Sequence, residues 1–129
     1  HMYKYFSKNF FEPKNFILDK NSLDTVGDAI FSYLIQKKIK FNGKTFVVSS
    51  DWHIDRVEKI FKKIYHQKND INFISTSEME KININELAKI ILKEKKSIQE
   101  FKKNFSRFSN KVIDPYNFLK ENHNLYHSI

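Results

Sequence analysis

The short run Thr45-Phe46-Val47-Val48 restricts the fold more than any other feature, because it is β-branched and aromatic and shows no alternation of polar and apolar residues. Such runs are typical of parallel strands that are covered on both faces. The run leads into Ser49-Ser50-Asp51, whose polar side chains are predicted to cap a helix from Trp52 to His66. A buried strand that leads directly into a helix predicts a unit of a parallel α/β sheet.

Two further strands and one further helix are predicted in the first 80 residues. The apolar runs Phe16-Ile17-Leu18 and Ile71-Asn72-Phe73-Ile74 indicate short buried strands. Between them, apolar residues from Leu23 to Lys40 recur at helical spacing, and Ser22 stands where a helix cap is expected. Strands that alternate with helices of this length predict an α/β domain with a small, mainly parallel sheet.

Residues 81–129 are predicted to form a helical extension of a single domain, residues 1–129, whose α/β portion spans residues 3–80. A long helix is expected from Asn85, and Asp114-Pro115 begins a last short helix, because Asp caps helices and Pro is tolerated in their first turn. The apolar residues of the long helix stand in near-heptad positions: Ile84, Leu87, Ile91, Ile98, Phe101, Phe105 and Phe108. Core packing explains the stripe of Phe101, Phe105 and Phe108 most simply, and a dimer or partner surface is the alternative.

The composition excludes several classes of function. The sequence contains no cysteine, which rules out disulfides, cysteine-based zinc sites and a thiol nucleophile, and which suits a reducing compartment. The formal net charge of +8 is spread along the chain, and nearly all basic residues are lysines, so nucleic-acid binding is not expected. No apolar run approaches the ~20 residues that span a bilayer, and Tyr3 to Lys8 have none of the apolar character of a signal peptide. A cytoplasmic protein without a membrane span is therefore expected.

The junction between the central strand and its helix is the first candidate binding site. Its candidate residues are Ser49, Ser50, Asp51, Trp52, His53 and Arg56. In open parallel sheets, ligands bind beyond the carboxyl ends of the strands, where backbone N–H groups of helix starts are unpaired. His53 and Arg56 share one helix face, and an imidazole and a guanidinium at a helix start suit a phosphate or a carboxylate. The alternative is a simple helix cap, with Arg56 paired to Asp55 or another surface acid.

A second, acidic junction precedes the first predicted helix. Its candidate residues are Asp19, Ser22, Asp24, Thr25 and Asp28. If the two junctions lie near each other, the carboxylates of Asp19, Asp24 and Asp28 could accept ribose hydroxyls, orient His53 or hold a cation. Helix capping by Ser22, with the carboxylates in solvent, is the alternative.

Other sites of chemistry are not expected. His66, His123 and His127 are expected to be exposed at helix ends or in the tail, and no metal site is predicted from them. The common nucleotide-binding, zinc-protease and hydrolase motifs do not occur in the sequence. No nucleophile stands out, and His53 is the candidate acid or base, because an unperturbed imidazole titrates near pH ~6.5.

Together the two junctions resemble the YdcF/SanA/ElyC-like bacterial family, a domain of unknown function with a Rossmann-like sheet. The family pattern has an acidic residue, Ser, Asn-Thr and Asn-Ala at one junction, and Thr-Ser, an aromatic residue, His-Met and Arg-Ala at the next. The matching residues here are Asp19, Ser22, Asp24-Thr25 and Asp28-Ala29, followed by Ser49-Ser50, Trp52, His53-Ile54 and Arg56-Val57. The resemblance covers about Phe16 to His66, and Gly27 departs from the Glu of the family pattern.

The resemblance implies a three-layer Rossmann-like domain that binds a phosphorylated or nucleotide-like small molecule, as a transferase or hydrolase. Arg56 and the Ser49-Ser50 turn would hold the anion, and His53 would position or protonate it. The family's opening strand has no counterpart before Tyr3, so a truncated member with an exposed sheet edge, forming a homo-oligomer, is expected. The alternative is a non-catalytic remnant of the family that binds partners or oligomerises. No cofactor other than a nucleotide-like ligand is indicated.

Overall fold

The computed structural model describes residues 16–66, 70–108 and 114–127. These residues form a mixed helical and β structure, which confirms the α/β class. In chain order, the elements are α1 (Thr25–Lys38), β1 (Thr45–Ser50), α2 (Ile54–Ile64), β2 (Ile71–Thr76), α3 (Ile84–Asn104) and α4 (Pro115–Asn122), with 3₁₀ turns at Met79–Lys81 and Asn124–Tyr126. No helix in these ranges is both long enough and apolar enough to cross a membrane.

β1 and β2 form a parallel pair, and α2 is the crossover helix between them. The register places Thr45 opposite Ile71 and continues in step to the ends of both strands. Phe61 of α2 packs edge-on against Phe73 of β2, with ring centroids 6.5 Å apart. Both strands and their parallel pairing are therefore confirmed.

The sheet is covered on one face, not on two. Along β1 the side chains alternate in burial, and Phe46 and Val48 are 57% and 61% exposed. Ile74 of β2 stands opposite Val48 and is also exposed. The prediction that this run is covered on both faces is wrong, because nothing in the described part of the chain packs on the outer face.

Phe16-Ile17-Leu18 does not form the predicted buried strand. The backbone there has no regular structure, and Ile17 and Leu18 are exposed. The sheet of the described residues consequently consists of β1 and β2. An apolar run alone is insufficient evidence for a strand, because a strand also needs a neighbour to satisfy its backbone hydrogen bonds.

The hydrophobic core lies between α1, α2, α4 and the carboxyl-terminal end of α3. Ala29 and Ile30 of α1 belong to the same buried cluster as Ile60 and Ile64 of α2, and all four are fully buried or nearly so. Leu119 of α4 is also fully buried, which anchors the last helix to the same core.

The near-heptad stripe of the long helix is buried only at its carboxyl-terminal end. Phe101, Phe105 and Phe108 are buried, and Phe105 and Phe108 contact Phe118 of α4, which confirms core packing there. At the other end Ile84 is 79% exposed, because the first turns of α3 reach beyond the helices that form the core.

The first helix is capped by a different residue from the one predicted. α1 begins at Thr25, and the side chain of Asp24 accepts a hydrogen bond from the backbone N–H of Gly27. Ser22 does not act as the cap because its hydroxyl donates to Asp19 instead. The observed cap, Asp24, therefore belongs to the acidic junction and lies two residues after the predicted cap, Ser22.

Ser49, Ser50 and Asp51 do not cap the second helix. α2 begins at Ile54 with His53 at the cap position, and no side chain there makes a capping hydrogen bond. The predicted start at Trp52 is therefore two residues early. At α4 the prediction is confirmed, because Asp114 accepts hydrogen bonds from the first backbone N–H groups of that helix.

Replacing Gly27 by alanine is expected to destabilise the fold. Gly27 is buried in α1, and an added Cβ would lie 1.9 Å from the hydroxyl oxygen of Tyr126. Because Tyr126 is fully buried, the tail or the helix must move, and we expect the free energy of unfolding in urea to fall by about 2 kcal/mol. Gly43→Ala is the control, since its nearest neighbour is the partly exposed ring of Phe41. Equal stability of wild type and Gly27→Ala would contradict the packing of Tyr126.

Candidate functional site

The two junctions singled out by the sequence meet at the amino-terminal ends of α1 and α2. Thr25 is the first residue of α1, and His53 occupies the cap position of α2. The hydroxyl oxygen of Thr25 and Nε2 of His53 are 3.1 Å apart, which is a hydrogen-bonding distance. One candidate residue from each junction therefore contributes to a common site.

A carboxylate from α3 completes this contact. Oε2 of Glu94 lies 2.8 Å from Nδ1 of His53. The same carboxylate accepts two hydrogen bonds from Arg56, one from Nε at 2.7 Å and one from Nη2 at 2.9 Å. This bidentate pairing fixes the planes of both groups. We call the connected side chains of Thr25, His53, Glu94 and Arg56 the His53 network.

The His53 network is largely shielded from water. Glu94 is 8% exposed, and the side chains of His53 and Arg56 are 16% and 19% exposed. Burial raises the pKa of Glu94, but hydrogen bonds from Arg56 and His53 outweigh burial and hold that pKa below its ordinary value. Because an ionised carboxylate only accepts, Nδ1 of His53 carries the proton of this contact. In the tautomer that is protonated at Nδ1 alone, Nε2 is an acceptor for the Thr25 hydroxyl.

Glu94 takes the place that the sequence assigned to an external anion. His53 and Arg56 do converge on one carboxylate, as expected for an anion site, but the carboxylate belongs to the chain itself. Of the acids considered for Arg56, its partner is the distant Glu94 and not the neighbouring Asp55. The carboxylate that orients His53 is also Glu94, and not one of the carboxylates of the acidic junction.

Glu94 was missed although one signal in the sequence points to it. The apolar positions of α3 follow a spacing of three and four residues, and Glu94 stands at the seam position between Ile91 and Ile98. A charged residue within an apolar seam needs a partner, so it predicts a buried group of opposite charge. The sequence holds only two arginines, and Arg56 lies in the candidate junction.

The tail of the chain folds back onto Asp24. Oδ2 of Asp24 lies 2.7 Å from Nε2 of His123, and Oδ1 accepts a hydrogen bond from the Tyr126 hydroxyl at 2.9 Å. The Tyr126 hydroxyl in turn accepts from the backbone N–H of Leu23 at 2.7 Å. The prediction that His123 is exposed is wrong, because its side chain contacts Asp24 and is 18% exposed. His66 and His127 are exposed as predicted.

The pKa values around the tail contact reflect burial and pairing. Burial raises the pKa of Asp24, but the hydrogen bonds from His123 and from the Gly27 backbone outweigh it and lower that pKa. Burial raises the pKa of Tyr126 to about 12, and its hydrogen bond to Asp24 acts in the same direction. Asp24 is therefore an ionised helix cap that also anchors the tail.

Asp19, Ser22 and Asp28 form a separate polar cluster. Asp19 accepts hydrogen bonds from the Ser22 hydroxyl and from the backbone N–H of Asn21. Burial, and then the nearby carboxylates of Asp19 and Asp24, raise the pKa of Asp28 despite its hydrogen bond with Ser22. Asp19 and Asp28 line a groove of about 370 Å³ beside β1. Within the described residues, no group of three or more ligating side chains is arranged to hold a metal ion.

The two serines at the end of β1 lie across the sheet from two further hydroxyl residues. Ser49 pairs with Ser75, and Ser50 pairs with Thr76. The carboxyl ends of both strands therefore carry hydroxyl side chains. The sequence prediction included those of β1, Ser49 and Ser50, but not those of β2. Neither serine belongs to the His53 network.

Asp51 and Trp52 have structural contacts. The carboxylate of Asp51 accepts hydrogen bonds from the backbone N–H groups of Glu78 and Met79, which ties the end of β1 to the turn after β2. The ring of Trp52 lies beside that of His53, with centroids 5.3 Å apart. Trp52 thus borders the site without a hydrogen bond to it.

A cleft of about 320 Å³ lies between α1, α2, α3 and the last 3₁₀ turn. Arg56 and Asp24, one residue from each predicted junction, line it together with His123. Its other lining residues are Val26, Ile60, Ser97, Glu100, Phe101, Asn104, Phe105, Asn124 and Leu125. Its volume and mixed lining are typical of a small-molecule site.

Replacing Glu94 by glutamine is expected to weaken the fold in a pH-dependent way. The folded state holds the pKa of Glu94 below its ordinary value of 4.5, so its contribution is complete above that value and is lost as the pH falls through the lowered pKa. At neutral pH we expect Glu94→Gln to reduce the free energy of unfolding by about 3 kcal/mol, as for a broken buried ion pair. The difference from wild type should shrink in acid. Urea unfolding from neutral pH down to about pH 3 measures both effects.

Glu58→Gln provides the matched control for this prediction. It removes an exposed ion pair with Lys62, whose side chain is 60% exposed. Exposed pairs contribute little, so we expect a loss below about 0.5 kcal/mol. Similar losses for the two variants would show that Glu94 is not a buried partner of Arg56.

The chain was also compared with known proteins. No protein-family model, no curated protein and no solved structure matches it. The resemblance of the two junctions to the YdcF/SanA/ElyC-like family therefore stays a prediction from those residues. The geometry of the site carries the functional argument.

Proposed function

We propose that the protein binds a phosphorylated or nucleotide-like small molecule in the cleft and acts on it as a transferase or hydrolase. The observation that carries this proposal is the position of Arg56, which belongs both to the His53 network and to the wall of the cleft. Glu94 thereby connects a cationic group at the wall of the cleft with the imidazole of His53, which is a candidate for proton transfer.

Arg56 retains hydrogen-bonding capacity for a ligand. A guanidinium has five N–H donors, and Glu94 takes two of them, one at Nε and one at Nη2. Three donors remain, including both at Nη1, and a phosphate oxygen suits them because the guanidinium fork matches its geometry. The ion pair with Glu94 holds the fork in a fixed orientation before the ligand arrives.

The rest of the cleft suits the other part of such a molecule. Leu125, which is exposed, gives the cleft apolar surface against which a flat ring such as a nucleobase could pack. Ser97 and Asn104 add polar groups that could hydrogen-bond with ligand hydroxyls. This division into a cationic and an apolar part supports a nucleotide-like ligand over a bare anion.

We also propose that the domain has a three-layer Rossmann-like architecture. A three-layer Rossmann-like sheet would contain β1, α2 and β2 as one of its units, and the groove beside β1 offers room for a further strand. A reducing compartment such as the cytoplasm fits the absence of cysteine from the sequence.

The test is a panel of ligands measured by thermal shift and calorimetry. Nucleoside monophosphates and diphosphates, nucleotide sugars and inorganic phosphate are added to the wild-type protein. We expect at least one nucleotide to bind and to raise the melting temperature, because ligands stabilise the state that binds them. Arg56→Ala is expected to abolish the shift, whereas Arg107→Ala, which removes the other, exposed arginine, is expected to retain it.

Arg56→Ala leaves Glu94 without its guanidinium partner, so loss of binding in this variant could also result from misfolding. A second variant distinguishes the two causes. Ser97→Trp places a large ring in the cleft and leaves the His53 network intact. It should abolish binding at unchanged helical content. Absence of binding by the wild type to every member of the panel, or full binding by Ser97→Trp, would overturn the proposal.

A second candidate function is association through the sheet without catalysis. Phe46, Val48 and Ile74 form an exposed apolar patch on its outer face, and β1 has no second neighbour among the described strands. Open strand edges and exposed apolar faces favour pairing with another chain, here a second copy.

This candidate predicts a dimer that a charge on the patch disrupts. Sedimentation equilibrium should give a wild-type dimer, and Val48→Lys should give a monomer of the same helical content. Ile84→Lys is the control, because Ile84 is exposed on α3, away from the sheet. A monomeric wild type, or equal effects of the two substitutions, would exclude association through this face.

A further inference from the structure

We infer that Thr25 is a nucleophile and His53 its general base, and that the protein hydrolyses carboxylic esters of small anionic molecules. The inference rests on the proposed function for the anionic class of the substrate, which Arg56 would hold. It adds the reacting group and the bond that is cleaved.

The order of groups is the basis of the inference. A hydroxyl, an imidazole and a carboxylate stand in sequence, with 3.1 Å from the Thr25 hydroxyl to Nε2 of His53 and 2.8 Å from Nδ1 to Glu94. This is the arrangement that activates a hydroxyl, in which the base removes its proton and the carboxylate holds the ring in the correct tautomer. Arg56 fixes the carboxylate by its two hydrogen bonds, so Glu94 is a positioning residue, and Arg56 supports it besides holding the anionic part of the substrate.

The start of α1 supplies donors for the charge that develops on the substrate. The backbone N–H groups of Thr25 and Val26, at the first two positions of the helix, have no acceptor among the described residues. Free N–H groups beside a nucleophile stabilise the oxyanion of a tetrahedral intermediate. Asp24 and Val26, which flank Thr25 in sequence, both line the cleft, so the start of α1 borders the proposed binding site.

The reaction balances with water as the only co-substrate. The Thr25 oxygen attacks the ester carbonyl carbon while its proton passes to Nε2 of His53. The bond from carbon to the alcohol oxygen then breaks, and the alcohol leaves with that proton. Water attacks the acyl-threonine, gives one proton to His53, and the Thr25 oxygen leaves and recovers it. The products are a carboxylic acid and an alcohol.

The experiment combines a covalent probe with ester hydrolysis. A fluorophosphonate reacts with activated hydroxyls and loses fluoride, and peptide mass spectrometry locates the adduct. We expect the adduct on Thr25 of the wild-type protein. We also expect faster hydrolysis of the anionic ester p-nitrophenyl hemisuccinate than of neutral p-nitrophenyl acetate, with this preference reduced in Arg56→Lys.

The variants separate a nucleophile from a structural hydroxyl. Thr25→Val keeps the shape of the side chain and is expected to lower kcat at least about 100-fold, as removal of proton-transfer chemistry does. Thr25→Ser should retain activity and labelling. Thr76→Val removes an exposed hydroxyl at the end of β2 and should leave both unchanged.

Glu94→Gln tests the positioning role by a separate measurement. The amide can donate to Nδ1 of His53 and so favour the wrong tautomer, which should lower kcat and change its pH profile while KM stays close to the wild-type value. A residue that only stabilises the fold would leave the pH profile of the folded enzyme unchanged.

The outcomes distinguish this inference from the proposed function. Binding of a nucleotide that requires Arg56, without an adduct or ester hydrolysis, would overturn the role of Thr25 and leave the binding proposal standing. Labelling of Thr25 without nucleotide binding would support the role of Thr25 and overturn the proposal that a nucleotide binds in the cleft. An adduct on another residue, or an active Thr25→Val, would also overturn the inference.

Discussion

The ion pair between Glu94 and Arg56 is the contact on which the arrangement of this protein depends. A carboxylate with 8% exposure is costly to bury unless it is paired, so α3 must lie where the guanidinium can reach it. The pairing fixes the position of α3 against α2, the tautomer of His53 and the orientation of Arg56 in the cleft. One electrostatic requirement thereby sets the packing of a helix and the chemistry of the site.

Much of the local structure was predictable from the sequence. The strand from Thr45, the strand from Ile71, their parallel pairing and the start of α4 were all predicted, because side-chain periodicity and capping residues act over a few positions. The coverage of the sheet was not predictable in this way. An uninterrupted apolar run suggested two buried faces, yet Phe46 and Val48 are exposed, since burial depends on which other elements pack there.

The site was predictable in part for the same reason. His53 and Arg56 share a helix face by spacing alone, and their convergence on a carboxylate followed from that. The identity of the carboxylate could not be predicted in this way, because Glu94 is separated from Arg56 by 38 positions. It also belongs to α3, which the sequence analysis placed in the helical extension and not at the site. His123 and Tyr126 are 99 and 102 positions from Asp24 in the sequence, so no local pattern links them to it.

The contact of Tyr126 with the start of α1 has a consequence for the order in which the protein folds. Leu23 and Tyr126 are 103 residues apart in sequence, and closing a loop of that length costs about 4 kcal/mol of chain entropy. The unit β1–α2–β2 joins neighbours along the chain and can form while synthesis continues. The turn Asn124–Tyr126 supplies part of the wall of the cleft, so this part is absent until that turn has been synthesised and has folded back onto α1. The space beside Gly27 that Tyr126 fills is therefore open until this contact has formed.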